Sequence, residues 1–495
     1  MIMPELTRLR HGGVKEGESE AIILPRHGCS SQRFAFKRGA ATDYARAGRF
    51  HPRIEQTPCR LLGFLPRLAP MVHRSLFFAC VGALLPFSIL AQASEKSASP
   101  KVRLQLLPDA PKVDAATSQE LLAWLGTLQN VVYRMNIRDY LNMVDWDALA
   151  ESAVSGKEDK ADEHGKARTK RTLIAVHQQM FPMIRPFFVF MEAEVRRIDI
   201  ADGKAEIVAR IRDDEDLEYK VRWWLRRHDG GWRMTDFENI TASMRFSGLL
   251  LMATESAKAQ PGQMKEWSRS FMRIGVAIQE EDYEKAYAII KELEGNQLPG
   301  VLGEAYCMAK VGVVAQFDDK AEEFKAALDE LEKAAPKHPM LYFMRAAMSH
   351  AEARYKDTIR WCQKLGSSVG HDEESWLMLV EAHKELKQHQ QALTAAKAWA
   401  QDYPNSTAAV GFCWDLLPKN QREAVVTPLL EKIQPAETKL DTFAENAFDE
   451  SDVDALKLVL GVMRSRSLPP EVVQEWQKNL EMLEEMLRDA KSASR

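Results

Sequence analysis

The sequence predicts an α+β domain followed by an all-α array of paired helices. Two observations carry that prediction. Between residues 193 and 237 apolar residues recur with period two and are punctuated by tight-turn pairs, after a stretch of helical spacing. From 264 to 436 short amphipathic helices come in pairs that recur about every 34 residues. The 495 residues allow roughly two to four domains. Hydrophobic residues at 45% and charged residues at 28% indicate globular parts with buried cores. A net charge of −4 gives no basic excess for nucleic acid, so no nucleic-acid partner is expected.

Residues 71–93, MVHRSLFFACVGALLPFSILAQA, have the three parts of a secretory signal peptide. Arg74 supplies the positive region, Leu76 to Leu90 the apolar run, and Ala91-Gln92-Ala93 the cleavage site. The run is short for a membrane span. The protein is therefore expected in the periplasm or secreted, the alternative being a chain anchored in the membrane by an uncleaved leader. Signal peptides begin a chain, so residues 1–70, which lack steady periodicity, are read as disordered sequence upstream of the true start at Met71. Residues 94–114 are polar with Pro100, Pro108 and Pro111 and read as a linker. Three of the six cysteines fall in or before the leader. Cys307, Cys362 and Cys413 are an odd, widely spaced set without C-x-x-C, so neither a zinc site nor a disulfide framework is expected.

The first domain spans 115–255. Leu121, Leu122, Leu125, Leu128 and Val132 mark a helix, and Tyr140, Leu141, Val144 and Leu149 mark a second helical piece over 136–154. Gly156 to Arg171 is charged and patternless, a solvated loop or a docking loop. Residues 171–190 are helical or irregular, broken by Pro182 and Pro186. Four strands follow: Ala193 to Ile200; Ile207, Ala209 and Ile211; Tyr219, Val221, Trp223 and Leu225; and Trp232, Met234 and Phe237. The turns Asp202-Gly203 and Asp229-Gly230-Gly231 supply the positive φ of tight hairpins.

Helices followed by such a meander, closing on Asp229-Gly230-Gly231-Trp232-Arg233-Met234-Thr235-Asp236, resemble the cone fold of nuclear transport factor 2-like proteins. The same segment is similar to the end of the periplasmic phospholipid-shuttling MlaC-type proteins. The resemblance covers roughly 120 residues and departs from both families around Pro182. It implies an apolar pocket between a curved sheet and its helices, with Phe187, Tyr219, Trp223 and Trp232 as candidate lining and a hydrophobic small molecule as a possible ligand. Enzymes of the class place a carboxylate, His or Tyr in that pocket for proton transfer beside a carbonyl. Tyr133, Tyr140, Asp145, His177, Asp199, Tyr219 and Asp236 are the titratable residues available here, and no spacing among them specifies chemistry.

The array is clearest at Ser375 to Pro404, where Trp376, Leu379, Ala392 and Pro404 sit at the spacing of the tetratricopeptide repeat. Thr358 lies thirty-four residues before Ala392, and Ala327 precedes Pro339 by twelve, as Ala392 precedes Pro404. Five pairs are read between 264 and 436, the last degenerate. Arg273 and Arg345 depart from the pattern at apolar positions. The resemblance implies a superhelix whose first helices line a groove for a protein or peptide partner. Carried onto the best two repeats, the groove positions are Met340, Phe343, Ala347 and His350, then Glu374, Leu377, Glu381, Lys384 and Glu385. The alternative is that this surface packs against the N-terminal domain. Residues 437–495 read as a further helical pair and a long capping helix with Val473, Trp476, Leu480, Leu483 and Leu487 on one face. No nucleotide loop, nucleophile elbow or zinc motif follows the leader. The expected protein is thus a non-enzymatic interaction protein without cofactor or metal, with a carrier of lipid or another hydrophobic molecule as the alternative and an enzyme of the cone-fold class ranked behind both.

Overall fold

In a computed structural model the described residues form a six-stranded sheet that precedes thirteen α-helices, and the coarse α+β expectation holds. The structure describes residues 101–154, 190–212, 218–240, 244–247, 261–296 and 300–493, with Leu298 and some positions between 167 and 181. The expected leader, Phe187 and residues 156–166 lie outside these. The described residues belong to one compact unit.

The sheet runs in the order β1 (Lys101–Leu104), β2 (Glu192–Ala201), β3 (Lys204–Arg212), β4 (Glu218–His228), β5 (Gly231–Asn239), β6 (Met244–Arg245). β2 to β6 form an antiparallel meander, with Asp202 and Gly203 at positive φ in the first hairpin and Gly231 in the third. β1 falls in the stretch read as a linker and pairs parallel with β2. Four residues are too few to show a period, which is why the sequence hides it. Three helices, α1 (Ala115–Tyr133), α2 (Ile137–Asn142) and α3 (Trp146–Val154), accompany the sheet. Residues 136–154 form two helices rather than one piece. Between them Asp145 donates its amide to Met234 O (2.8 Å) and Met143 O accepts from Met234 N (2.7 Å), so the edge of β5 interrupts the helix.

Alternation along the strands sorts two faces. The inner one carries Val195, Ile207, Ala209, Val221 and Trp223, all fully buried in one cluster with Leu121, Leu125 and Leu128 of α1. The outer one carries charge in rows set by the register: Glu194 beside Arg210 beside Lys220, and Arg222 beside Glu238.

The helices from 261 onward are α4 (Pro261–Gln279), α5 (Tyr283–Leu293), α6 (Gly300–Val314), α7 (Ala321–Ala334), α8 (Pro339–Ala351), α9 (Tyr355–Val369), α10 (Glu373–Glu385), α11 (His389–Asp402), α12 (Thr407–Leu416), α13 (Lys419–Leu430), α14 (Ala436–Asp449), α15 (Val453–Ser465) and α16 (Pro470–Ala493). Pro261 and Gly262, which fall between the expected domain (115–255) and the expected array (264–436), open α4. Several local devices repeat at thirty-four residues. His338, Asp372 and Ser406 each cap the helix that follows, accepting amide N–H groups of Met340, Ser375 and Ala409. Thr358, Ala392 and Val426 are fully buried at matching places in second helices. Ala353 and Lys387 hold positive φ in the turns within pairs, as Glu281 and Ser451 do in two others. All four turns close with the same 2.8 Å bond from an N–H to the carbonyl five residues back, as in a Schellman motif. Arg345, a departure from the apolar pattern, reaches Asp329 (2.5 Å) and Glu332 (2.6 Å) on α7. Arg273 is exposed and pairs with Glu292.

The outer face of the sheet packs onto the array. Val208 and Ile240, its apolar members, belong to the apolar cluster of the helices rather than to the cluster of the sheet. Around them the charges pair with the ends of α9, α10 and α11. Arg196 binds Asp402 at 2.7 Å, and Arg210 reaches the Asp402 carbonyl (3.1 Å) and stacks over Tyr403 at 4.5 Å. Glu194 accepts from Arg210 and Arg103. Lys220 donates to Gly370 O (2.8 Å) and Asp372 (3.1 Å), and Tyr403 OH donates to Glu218 (2.8 Å).

Candidate functional site

The groove residues lie on two consecutive first helices, α8 and α10, with α12 continuing the row. Met340 and Leu377 are half-buried and packed against the array's core. Phe343 and Ala347 are buried, so they support the surface rather than line it. The polar members are tied across helices: His350 Nε2 lies 3.2 Å from Glu381, and Lys384 Nζ sits 4.9 Å over the Phe412 ring. Glu385 is exposed. His383 pairs with Gln388 (2.7 Å) rather than with His350. Burial and the neighbouring Asp372 push the Glu374 carboxyl up.

Two lane residues escaped the sequence reading. Asp415 stands thirty-four residues after Glu381, and burial pushes its carboxyl up against the pull of Lys384. Phe412 follows on the same helix. Asp415 was findable by adding one more period, but the pair after Pro404 lacks the repeat's marker residues; Phe412 falls one period after Met378, outside the groove positions. The result is a partly open strip of Met340, His350, Leu377, Glu381, Lys384 and Asp415 crossing three helices.

The second candidate is the inner side of the sheet. Trp223 is fully buried, tilted against Phe190 (6.5 Å) and Phe237 (6.0 Å). Trp232 is 8% exposed, with Arg227 over it at 5.4 Å; Tyr219 is half-buried. Of the titratable residues considered, only Tyr140 and His177 meet inside. Their rings stack at 5.0 Å and 7°, with Phe246 (4.6 Å) and Trp146 (5.2 Å) edge-on to the imidazole. Burial alone brings His177 down to about 3, so the ring is neutral. The carboxylates are engaged elsewhere: Asp145 caps α3 and faces His228 (2.9 Å), Asp199 binds Arg197, and Asp236 binds Arg245. Among the described residues no group of three His, Cys, Asp or Glu could hold a metal ion, and no helix is long and apolar enough to cross a membrane.

No protein-family model matches the chain, and no curated protein does. The functional reading therefore rests on the geometry.

Proposed function

We propose that the chain is a non-enzymatic extracytoplasmic scaffold. In this reading a tetratricopeptide-like array binds a protein or peptide partner, and a nuclear transport factor 2-like or MlaC-like domain is fixed to its side. The observation that carries it is the strip across α8, α10 and α12. Residues one repeat apart, Glu381 and Asp415, continue the same lane, and side chains of adjacent first helices meet along it. An apolar floor at Leu377 between charged margins suits an extended segment or a partner helix. The test is a photo-crosslinking residue at Glu385 in the full chain within the cell envelope, with the same residue at Lys285 on α5 as the comparison. One protein is expected at Glu385 and absent at Lys285, and lost with the double substitution Leu377→Lys, Glu381→Lys. The same products from both positions would overturn the reading.

A carrier of a hydrophobic molecule is the second reading, and one observation favours it. The indole N–H groups of Trp124, Trp223 and Trp232 and both ring nitrogens of His177 are buried without hydrogen-bond partners. An apolar ligand with acceptor atoms for the indole and imidazole N–H groups and one donor for the other ring nitrogen would satisfy them. Native mass spectrometry of the purified chain decides: a bound small molecule supports the carrier, and an unliganded mass removes it.

A further inference from the structure

The junction between the sheet's outer face and the array is a ring of charges around Val208 and Ile240, and two imidazoles are set into it. His338 caps α8. Its Nδ1 accepts the Met340 amide N–H at 3.2 Å, so the ring proton sits on Nε2. That nitrogen is buried, has no hydrogen-bond partner, and lies 3.8 Å from the Glu238 carboxylate of β5. Arg222 of β4 stands 3.6 Å from the same carboxylate and 3.3 Å from Glu206. Charging His338 would forfeit its cap bond or set a cation beside Arg222.

His371 precedes α10. Its ring lies 4.0 Å from the Trp376 ring and so near α9 that a Cβ on Gly366 would overlap it. Nδ1 is 3.2 Å from Ser375 Oγ. Lys220 of β4 and Arg196 of β2 face it from the sheet. Asp372 faces it from its own helix cap and Asp402 from the end of α11, where Tyr403 also holds its carbonyl. Both carboxylates are already committed, Asp372 to Lys220 and Asp402 to Arg196.

We propose that this junction is an acid-released latch: charging His338 and His371 beside Arg222, Lys220 and Arg196 parts the sheet from the helical array while each keeps its own fold. Burial and then Arg222 bring His338 down to about 4, and burial and then Lys220 bring His371 down. Parting removes Arg222, Lys220 and Arg196 and admits water on the sheet side of both rings, while their contacts to Met340, Ser375, Trp376 and Gly366 within the array stay, so both titrate closer to the free value of about 6.5 than when docked. A base held below its free value binds protons more tightly in the parted state. Docking is therefore undisturbed above that free value and weakens as pH falls towards the docked values. Two rings freed completely would move the docked-to-parted ratio by on the order of 10³-fold between about pH 6.5 and 4.5, which is the upper bound. Glu238, whose carboxyl burial pushes up, titrates in the opposite sense and offsets part of this.

The latch is independent of any partner, since it concerns only two parts of one chain. It is tested by small-angle scattering and far-UV circular dichroism of the full chain from pH 7.5 to 3.5. The expected result is a rise in radius of gyration while helical signal is retained. In His338→Asn with His371→Asn, which keeps a capping side chain but cannot charge, the rise should move at least one pH unit lower. Expansion only together with loss of helix, or at an unchanged pH in the variant, would overturn the proposal. Should the variant fail to dock at neutral pH, hydrogen exchange at the ring C2 positions of the natural chain replaces it. Both rings should titrate well below 6.5 while docked, and a titration near 6.5 for either rules the latch out.

Discussion

The two faces of one sheet are buried to nearly the same extent by opposite means. On the inner face Val221 and Trp223 are fully buried among aromatic and aliphatic side chains. On the outer face Glu194, Arg210, Lys220 and Glu238 are 4–8% exposed, and each is charged. The apolar face gains from removing surface from water, whatever its orientation. The charged face is costly to desolvate and is favourable only when every charge meets its partner. One face is thus forgiving of small shifts, whereas the other fixes how the sheet sits on the helices. Burial and polarity are separate properties, and only the second can be read directly from alternation along a strand.

The comparison is most sharply broken by removing one member from each face. Arg210→Ala takes from buried Glu194 and Asp402 one of the cations each meets, leaving Arg103 on the first and Arg196 on the second, and should cost about 3 kcal/mol in urea unfolding. Trp223→Ala should cost a similar ~3–5 kcal/mol through its cavity. The two should differ in reach: hydrogen exchange at the starts of α10 and α12 should rise in Arg210→Ala and stay unchanged in Trp223→Ala. Acid should also separate the faces. His177 holds its proton only at about 3 inside the inner core, against about 6.5 unfolded. Its contribution is present above 6.5 and is lost as pH falls towards 3, worth up to about 4–5 kcal/mol at 1.36 kcal/mol per unit. His177→Phe, placed among the same rings, should flatten that loss in urea titrations at pH 4 and leave the pH of junction opening unchanged.

Smaller effects sharpen the same contrast among the helix caps. Ser406→Ala removes a cap and the hydrogen bond that Oγ donates to Glu373 (2.8 Å), and should cost ~1–2 kcal/mol. Asp372→Ala removes a cap and also the carboxylate paired with Lys220, so it should cost clearly more in the same measurement. Although burial pushes Asp372 up, Lys220 and Ser375 hold its carboxyl below the usual range, which fits a charge the junction needs. The smallest effect is expected on the lane. Leu377→Lys with Glu381→Lys touches half-exposed side chains and should change stability by no more than roughly 0.5–1 kcal/mol in urea, while removing the crosslink at Glu385.

Much of the element order was legible because it depends on local patterning. Period-two residues such as Ile207, Ala209 and Ile211 form β3, and Trp376, Leu379 and Ala392 lie in two consecutive helices. What stayed hidden depends on tertiary partners. β1 is four residues that become a strand only because β2 lies alongside. The break at Asp145 is made by Met234, ninety residues away. Nothing near Arg210 in sequence announces Asp402 as its partner. The candidate lane was read at Leu377, Glu381, Lys384 and Glu385 because helical spacing fixes a face. Phe343 and Ala347 were misjudged as open because spacing gives a direction and not what stands there.

Val208 and Ile240 belong to the apolar interior of the helices although they are strand residues. A chain cut at residue 261 would therefore lose two of its own core side chains along with the cations facing Asp372 and Asp402. Such a fragment would present greasy surface and unmatched acids where the intact molecule has neither. Its stickiness in a capture experiment would report the cut, so partners should be sought with the undivided chain.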